Sequence, residues 1–491
     1  MRGARPHLPR VATMAQRATS IHEHRSEPDG TALEAAFADI RERMEVRQEF
    51  PEEALAEARS AAENPDLPER DECGVPFITI DPPGSMDLDQ AMHIERDGEG
   101  YRVRYAIADV PAFVEPGGAL DAEVRLRGQT IYCPDTRVPL HPIELSEGAA
   151  SLLPDSERPA YVWDMRLTPE GLRDTAELYR AMVRSERRYT YEEGQGLIES
   201  GEAEETLMLL KEVGEHRIRR ESERGGASLP MPEQEVHVDD DGTYSLQFRP
   251  LLPIEDWNAQ ISLLTGIVAA EIMLEGKIGV LRTMPPAEQR DVDRFRRQVR
   301  ALGVDWPKGM AYGDFLRTLD RTDPKHLAII HDATSLFRGA GYEAFDGEAP
   351  GKPEQAAIAA PYAHVTAPLR RLIDRFVLVV CEALTQGHEV PGWVREALPT
   401  LPEIMDESGR LAKAVERACT DATEAAVLAH RVGQQFDAVV VDDAGKKGFQ
   451  VQLTEPAVNA LAEGSAELGS EVRVELVEAD IATQQVRFRI V

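Results

Sequence analysis

The stretch "TIDPPGSMDLDQAMHIE", residues 79–95, decides how this chain reads. Three aspartates, Asp81, Asp87 and Asp89, fall within nine residues, and Gln90 follows the third. Ahead of it, "FITI" is apolar and β-branched. After it, "AMHIE" alternates, "RDGEG" has hairpin-turn chemistry, and "YRVRYAIADV" has the composition of a strong strand. The pattern predicts an acidic loop between two strands. Carboxylates held close repel one another, and a bound divalent cation removes that repulsion. Hard oxygen donors suit Mg²⁺ or Mn²⁺.

Three chemistries use such loops. A calcium loop of EF-hand type is excluded: Ala91 stands at the third alternate position, no glycine follows, and strands flank the loop. A phosphotransferase with Asp87 as nucleophile needs an apolar strand running into that residue, but "PPGSM" precedes it. A two-metal phosphodiester hydrolase uses carboxylates to hold two ions ~3.5–4 Å apart around a scissile phosphate. On spacing alone this competes with a plain solvated acidic turn.

A second constellation shifts the balance. "PYAHVTAPLRRLIDRFVLVV" spans residues 361–380. Thr366 is predicted to cap a helix whose first turn holds Pro368, with Leu369, Leu372, Ile373, Phe376 and Val377 as its apolar stripe. Arg370 and Arg371 then lie in the first turn, where cations oppose the helix dipole. Free N–H groups with two guanidinium groups make a phosphate site. Asp374, four residues on, is placed to orient Arg370.

The chain has 491 residues, enough for two to four domains, and a hydrophobic content of 42% excludes global disorder. A net charge of −32 argues against a generic nucleic-acid coat, but not against an enzyme with a local basic channel. The basic clusters 216–224, 294–300 and 370–375 suit phosphates or solvated helix faces equally. Only 8 of the 55 basic residues are lysine; arginine suits phosphate forks, and a G- and C-rich genome gives the same bias. Cys73, Cys133, Cys381 and Cys419 lie far apart with no CxxC pair, so they read as isolated thiols rather than a disulfide or zinc framework. The first 25 residues are basic and lack a signal-peptide core, with Met14 as an alternative start. No apolar run approaches the ~18 residues of a membrane span. A soluble cytoplasmic protein is expected, with no membrane partner.

Residues 31–64 read as helix, with Pro51 at the first helical position of its second half. "NPDLPERDECGVP" is a linker. Residues 190–430 read as mostly helical. From about residue 434, short strands with turns every 8–12 residues predict a small β-barrel.

Three motifs carry a family resemblance: residues 79–95, residues 105–154 ("YAIADVPAFVEPGGALDAEVRLRGQTIYCPDTRVPLHPIELSEGAASLLP") and "PYAHVTAPLRRLIDR". Together they resemble the catalytic domain of the ribonuclease II and ribonuclease R family, over roughly residues 71–430. Residues 434–491 resemble the OB-fold RNA-binding domain of the S-one kind that ends these enzymes. Residues 40–58 resemble the family's helical linker. The expected fold is α+β: a mixed sheet-and-helix catalytic domain enclosing an RNA channel, a C-terminal OB-fold barrel, and a helical region at 1–70. A helix-turn-helix is one reading of residues 1–70, which are too few for the two cold-shock domains of relatives.

The resemblance implies a 3′-to-5′ exoribonuclease that threads single-stranded RNA and releases nucleoside 5′-monophosphates, with Mg²⁺ or Mn²⁺, no nucleotide cofactor, and a monomeric state. Asp81, Asp87 and Asp89 match three of the family's four metal-site aspartates, and Gln90 departs from the fourth. Tyr132 matches the tyrosine that stacks on the terminal base. Glu255 and Asp256, in "PIEDWNAQISLLTGIVAAEIM", match an acidic pair that fixes the terminal ribose or merely faces the helix dipole. Arg370 matches the arginine on the scissile phosphate, with Arg371 and Asp374 in support. His364 falls on a family position but is assigned packing rather than base chemistry. The alternative is an RNA-binding protein that kept the fold and lost the chemistry at Gln90. The absent cold-shock domains imply a wider channel entrance that admits structured RNA.

Overall fold

The strands that bracket the acidic loop close on themselves. In the computed structural model, which describes residues 19–21, 29–227, 233–238, 244–249, 251–320, 323–453 and 455–491, they form a five-stranded barrel. Its strands are Phe77–Ile80, Gln90–Asp97, Gly100–Ala108, Glu157–Leu167 and Arg173–Tyr189. Phe77–Ile80 pairs antiparallel through Ile78 with Met92, and parallel with the last strand through Ile80 and Tyr189. This parallel pairing removes the free edge. Met92, Ile94, Val103, Tyr105, Trp163 and Met165 share one buried face of the sheet. The acidic loop is therefore a tether between two strands, fixed at both ends.

Helices cover the barrel. Pro253–Gly276 is the long core helix, and by length and apolar composition it is long enough to cross a membrane. That corrects the reading that no apolar run approaches such a length. Its apolar window is 72% buried in the protein, so the core accounts for its hydrophobicity. Gly266 lets it approach the 361–371 segment: a Cβ there would stand 2.2 Å from the Tyr362 ring, while the Gly266 carbonyl accepts from the Ala363 amide at 3.0 Å. Helix Leu372–Thr385 packs beside it and is locked by a buried pair, Arg375 to Asp121 at 2.5 Å. Residues 190–430 are mainly helical, although Ile278–Thr283 pairs with Gly341–Asp346.

Residues 31–64 form two helices, Asp29–Arg43 and Glu52–Glu63, with Pro51 at the N-cap position and not inside the first turn. Each docks on a different partner. Leu33, Phe37 and Ile40 pack with Val415, Cys419 and Ala422 of helix Leu401–Leu428. Ala54 and Ala58 enter the main core. All four cysteines are free thiols, as expected, and Cys133 packs in the same cluster as Cys419.

The C-terminal strands Gln435–Asp443, Phe449–Leu453, Asn459–Glu463, Glu471–Asp480 and Gln485–Ile490 close into a second five-stranded barrel. Phe436 and Phe488 meet edge to face at 5.9 Å in its core. The chain is an α+β protein with two barrels.

Candidate functional site

The acidic loop is braced from below by the "SLLP" segment. Ser151 accepts the Leu88 amide through Oγ at 2.9 Å and donates to the Met86 carbonyl at 2.6 Å. The Leu152 amide donates to the Leu88 carbonyl at 3.0 Å. Arg188 donates to the Ser85 carbonyl at 2.5 Å. These bonds fix the backbone and leave the three carboxylates in different surroundings.

Asp89 accepts from the Leu369 amide at 2.8 Å and from Arg370 Nε at 3.2 Å. Asp87 accepts from Arg137 Nη1 at 2.6 Å. Among the described residues, no side-chain hydrogen bond or ion pair reaches the carboxylate of Asp81, which is only 9% exposed. Burial pushes Asp81 up to about 7, reinforced by the charge of Asp87 and opposed by Arg370. Burial pushes Asp89 up to about 8 against the pull of Arg370 and the Leu369 amide. Both groups favour a proton because burial strips water from the charged form.

Arg370 reaches the loop differently from the sequence expectation. The helix begins at Leu372, with Arg371 at its N-cap position, so Thr366 caps nothing and Pro368 lies outside the first turn. The reason is the Leu369 amide. It donates to Asp89 rather than into a helical turn, while the Arg370 and Arg371 amides both return to the Ala367 carbonyl. Asp374 orients Arg371 instead of Arg370: it accepts from Arg371 at 2.7 and 2.9 Å and from the Ala367 amide at 2.7 Å.

Gln90 is a tether. Its Nε2 donates to the Thr366 carbonyl at 2.6 Å, and its Oε1 accepts from the Tyr105 hydroxyl at 2.8 Å. Tyr105 also hydrogen-bonds Ser262 of the core helix at 2.8 Å. One amide thus joins the barrel, the core helix and the arginine turn.

Tyr132 stands on the hairpin Ile131–Tyr132 with Arg137–Val138, facing Arg137 across the strand pair. Its hydroxyl is buried and has no hydrogen-bond partner. Burial, with Asp87 adding, raises its phenol above the usual range, so it lies in the field of the acidic loop. Glu255 accepts the Leu252 amide at 2.6 Å and so closes the first turn of the core helix. Asp256 is in that same turn. Tyr191 feels the charges of both Asp81 and Glu255, which sets this helix end beside the loop. Arg371 belongs to Asp374, within the electrostatic reach of Tyr342 and Tyr362. His364 accepts or donates at Nδ1 with the Tyr342 hydroxyl at 2.7 Å, and burial keeps it neutral. The structure therefore gathers Asp81, Asp87, Asp89, Gln90, Tyr132 and Arg370, and turns Arg371 to a structural partner. Sequence reasoning missed Arg137, Tyr105 and Ser151.

Among the described residues, no three His, Cys, Asp or Glu side chains stand in the geometry of a ready metal site. Asp87 and Asp89 face arginines instead. The donor chemistry is that of a hard cation site all the same: clustered carboxylates, one of them buried without a partner.

The RNB domain family profile matches residues 70–387. The chain belongs to the RNB-domain family. The profile for the RNase II-type exonuclease C-terminal S1 domain matches residues 434–491 of this RNB protein. It is 27% identical to ribonuclease R of Escherichia coli over 455 residues, covering 86% of this chain and 53% of the relative. The chain spans about half the length of the curated relatives it matches. Its fold superposes with a TM-score of 0.84 on Mycoplasma genitalium RNase R in complex with ribose-methylated single-stranded RNA, at 17% identity, over 94% of this chain and 78% of that one. Yeast Ssd1, a pseudonuclease, superposes at 0.63 with 17% identity, over 85% and 51%.

Proposed function

We propose that this RNB protein is a 3′-to-5′ exoribonuclease that hydrolyses single-stranded RNA to nucleoside 5′-monophosphates with a divalent ion, Mg²⁺ or Mn²⁺. One observation carries the reading: three carboxylates on one fixed loop, with Arg370 against Asp89 and the Asp81 carboxylate buried without a partner. Burying unpaired carboxylates costs free energy, and a structural loop has no reason to keep that cost.

Asp81, Asp87 and Asp89 would hold the ion. When bound, it supplies charge stabilisation for the phosphate and a lowered pKa for water. Arg370 Nη groups offer charge-assisted hydrogen bonds to the scissile phosphate while its Nε stays on Asp89. The Tyr132 ring offers a stacking platform that tolerates any base, at ~1–3 kcal/mol per base. The acidic turn Glu255–Asp256, beside the loop, accepts from ribose hydroxyls. The second barrel adds an RNA-binding surface by resemblance, but not through Phe436, which lies in its core. The RNA-bound state of the ribonuclease R neighbour supports single-stranded RNA as substrate.

A second reading has its own observation. Both ends of the Gln90 amide are engaged, and one fold neighbour is a pseudonuclease. On that reading the protein binds RNA without cutting it. The experiment is a 5′-labelled single-stranded RNA of about 30 nucleotides, incubated with Mg²⁺ or with chelator. Stepwise shortening from the 3′ end only with metal supports the exonuclease. Binding without shortening, in Mg²⁺ and in Mn²⁺, gives the second reading.

A further inference from the structure

Asp87 is neutralised from within the chain. Arg137 reaches it from the Tyr132 hairpin, with Nη1 at 2.6 Å from Asp87 Oδ1, and its Nη2 contacts Glu147. Both partners of the Asp87 pair are only 15% exposed, so water screens it weakly. Gln90 is committed too. Turning its carbonyl toward a cation would break the bond from Tyr105, and any rotation of the amide strains the bond to Thr366. Asp89 is divided between the Leu369 amide and Arg370. Asp81 alone offers a carboxylate with no side-chain partner among the described residues.

We propose that Arg137 is a positioning residue that serves as a resident cation on the Asp87 side of the loop, so that the site takes one divalent ion rather than two. The inference rests on the metal-hydrolase reading above. Arg137 opposes a second ion in two ways: it repels the charge, and it occupies a donor oxygen. Gln90 removes the carboxylate that would compensate. Asp81 and Asp89 would then hold the ion, and Arg137 fixes the Asp87 rotamer beside them. The same hairpin carries Tyr132, so the resident cation and the base platform share one strand pair.

The test counts ions directly. The full chain, without RNA, is titrated with Mn²⁺ and read by electron paramagnetic resonance for ions bound per chain. Wild type is expected to take one tight Mn²⁺ with no spin-coupled pair. Arg137→Gln is expected to bind Mn²⁺ about tenfold tighter, because it removes a like charge beside the ion and frees an Asp87 oxygen. Arg137→Gln with Gln90→Asp is expected to take two ions with a coupled signal. Arg137→Lys keeps the charge and stays at one. Two ions on wild type overturn the inference and leave the hydrolase reading standing, as does an Arg137→Gln variant that is unchanged in number and affinity. No bound Mn²⁺ on wild type overturns both. The wild-type count needs no variant to fold.

Discussion

Two closed five-stranded barrels share this chain, and among the described residues only the first carries buried charge. The second has a dry core of Phe436, Val440, Val451, Leu453, Val474, Leu476 and Phe488, and its buried polar residues are the neutral Gln452 and Asn459. The first holds Asp81 and Asp89 in a loop between two strands, with Arg370 paired to Asp89 from another segment. Similar frames thus serve different ends. A closed barrel supplies rigidity, and what is inserted between its strands supplies chemistry.

The largest expected effect breaks that division of labour from the stable side. Phe488→Ala removes half of the aromatic pair at the centre of the second barrel. It should cost about 3–5 kcal/mol of stability there, while short-RNA cleavage stays within about threefold, because the two cores are separate clusters. Urea melts followed with cleavage assays check both. Loss of cleavage in a protein whose first barrel remains folded would mean that the barrels act as one unit.

Asp89→Asn attacks the other side. The amide keeps an acceptor for the Leu369 N–H but loses the charge that Arg370 and an ion answer. Cleavage of labelled single-stranded RNA should fall by about 10²–10³-fold, the scale of removing one electrostatic contact at a reacting centre. RNA binding, read by filter retention, should persist. Equal activity of the two proteins would move the chemistry away from this loop.

The pH dependence of stability should also separate the barrels. Asp81 and Asp89 are raised by burial to about 7 and about 8, whereas unfolded carboxylates titrate near 4. Between those values the native state holds protons that the unfolded chain has released. In chelator, stability therefore falls as pH rises through this window, by up to ~1.4 kcal/mol per pH unit for each group. His141 acts the other way. Burial lowers it to about 3, so stability rises with pH from there to about 6.5. The carboxylate effect is thus cleanest from about pH 6.5 to 8. Urea melts in chelator should show a downward slope there that Asp81→Asn with Asp89→Asn flattens. A slope unchanged in the double variant would refute the buried-carboxylate picture.

The sequence made the acidic loop and its flanking strands legible because both signals are local: β-branched runs and clustered aspartates. It also marked the 361–375 segment, but misjudged its geometry. Thr366 looked like a cap because nothing nearby revealed that the Leu369 amide pairs with Asp89, far away in the chain. Arg137, Tyr105 and Ser151 were invisible for the same reason. Each acts across a fold contact, on Asp87, on Gln90 and on the Leu88 backbone, and residue type alone does not announce such a partner. The closure of the first barrel depended on the parallel pairing of Phe77–Ile80 with Arg173–Tyr189, which no hydrophobic period encodes.

The smallest effect sharpens what Tyr132 does within the charged side. Its hydroxyl is buried without a hydrogen-bond partner, which costs free energy in the RNA-free protein. Tyr132→Phe keeps the ring and deletes that group, so it should raise stability by about 1 kcal/mol. If the ring alone meets RNA, binding of single-stranded RNA in an Asp89→Asn background should stay within about twofold, while Tyr132→Ala should lose about 1–3 kcal/mol of binding. Thermal melts and fluorescence anisotropy read the two quantities separately. A Phe variant that is more stable but binds about tenfold more weakly would show that RNA satisfies the hydroxyl. Tyr132 would then act with Arg370 as a polar contact to the backbone, and base stacking would have to be sought on another aromatic side chain.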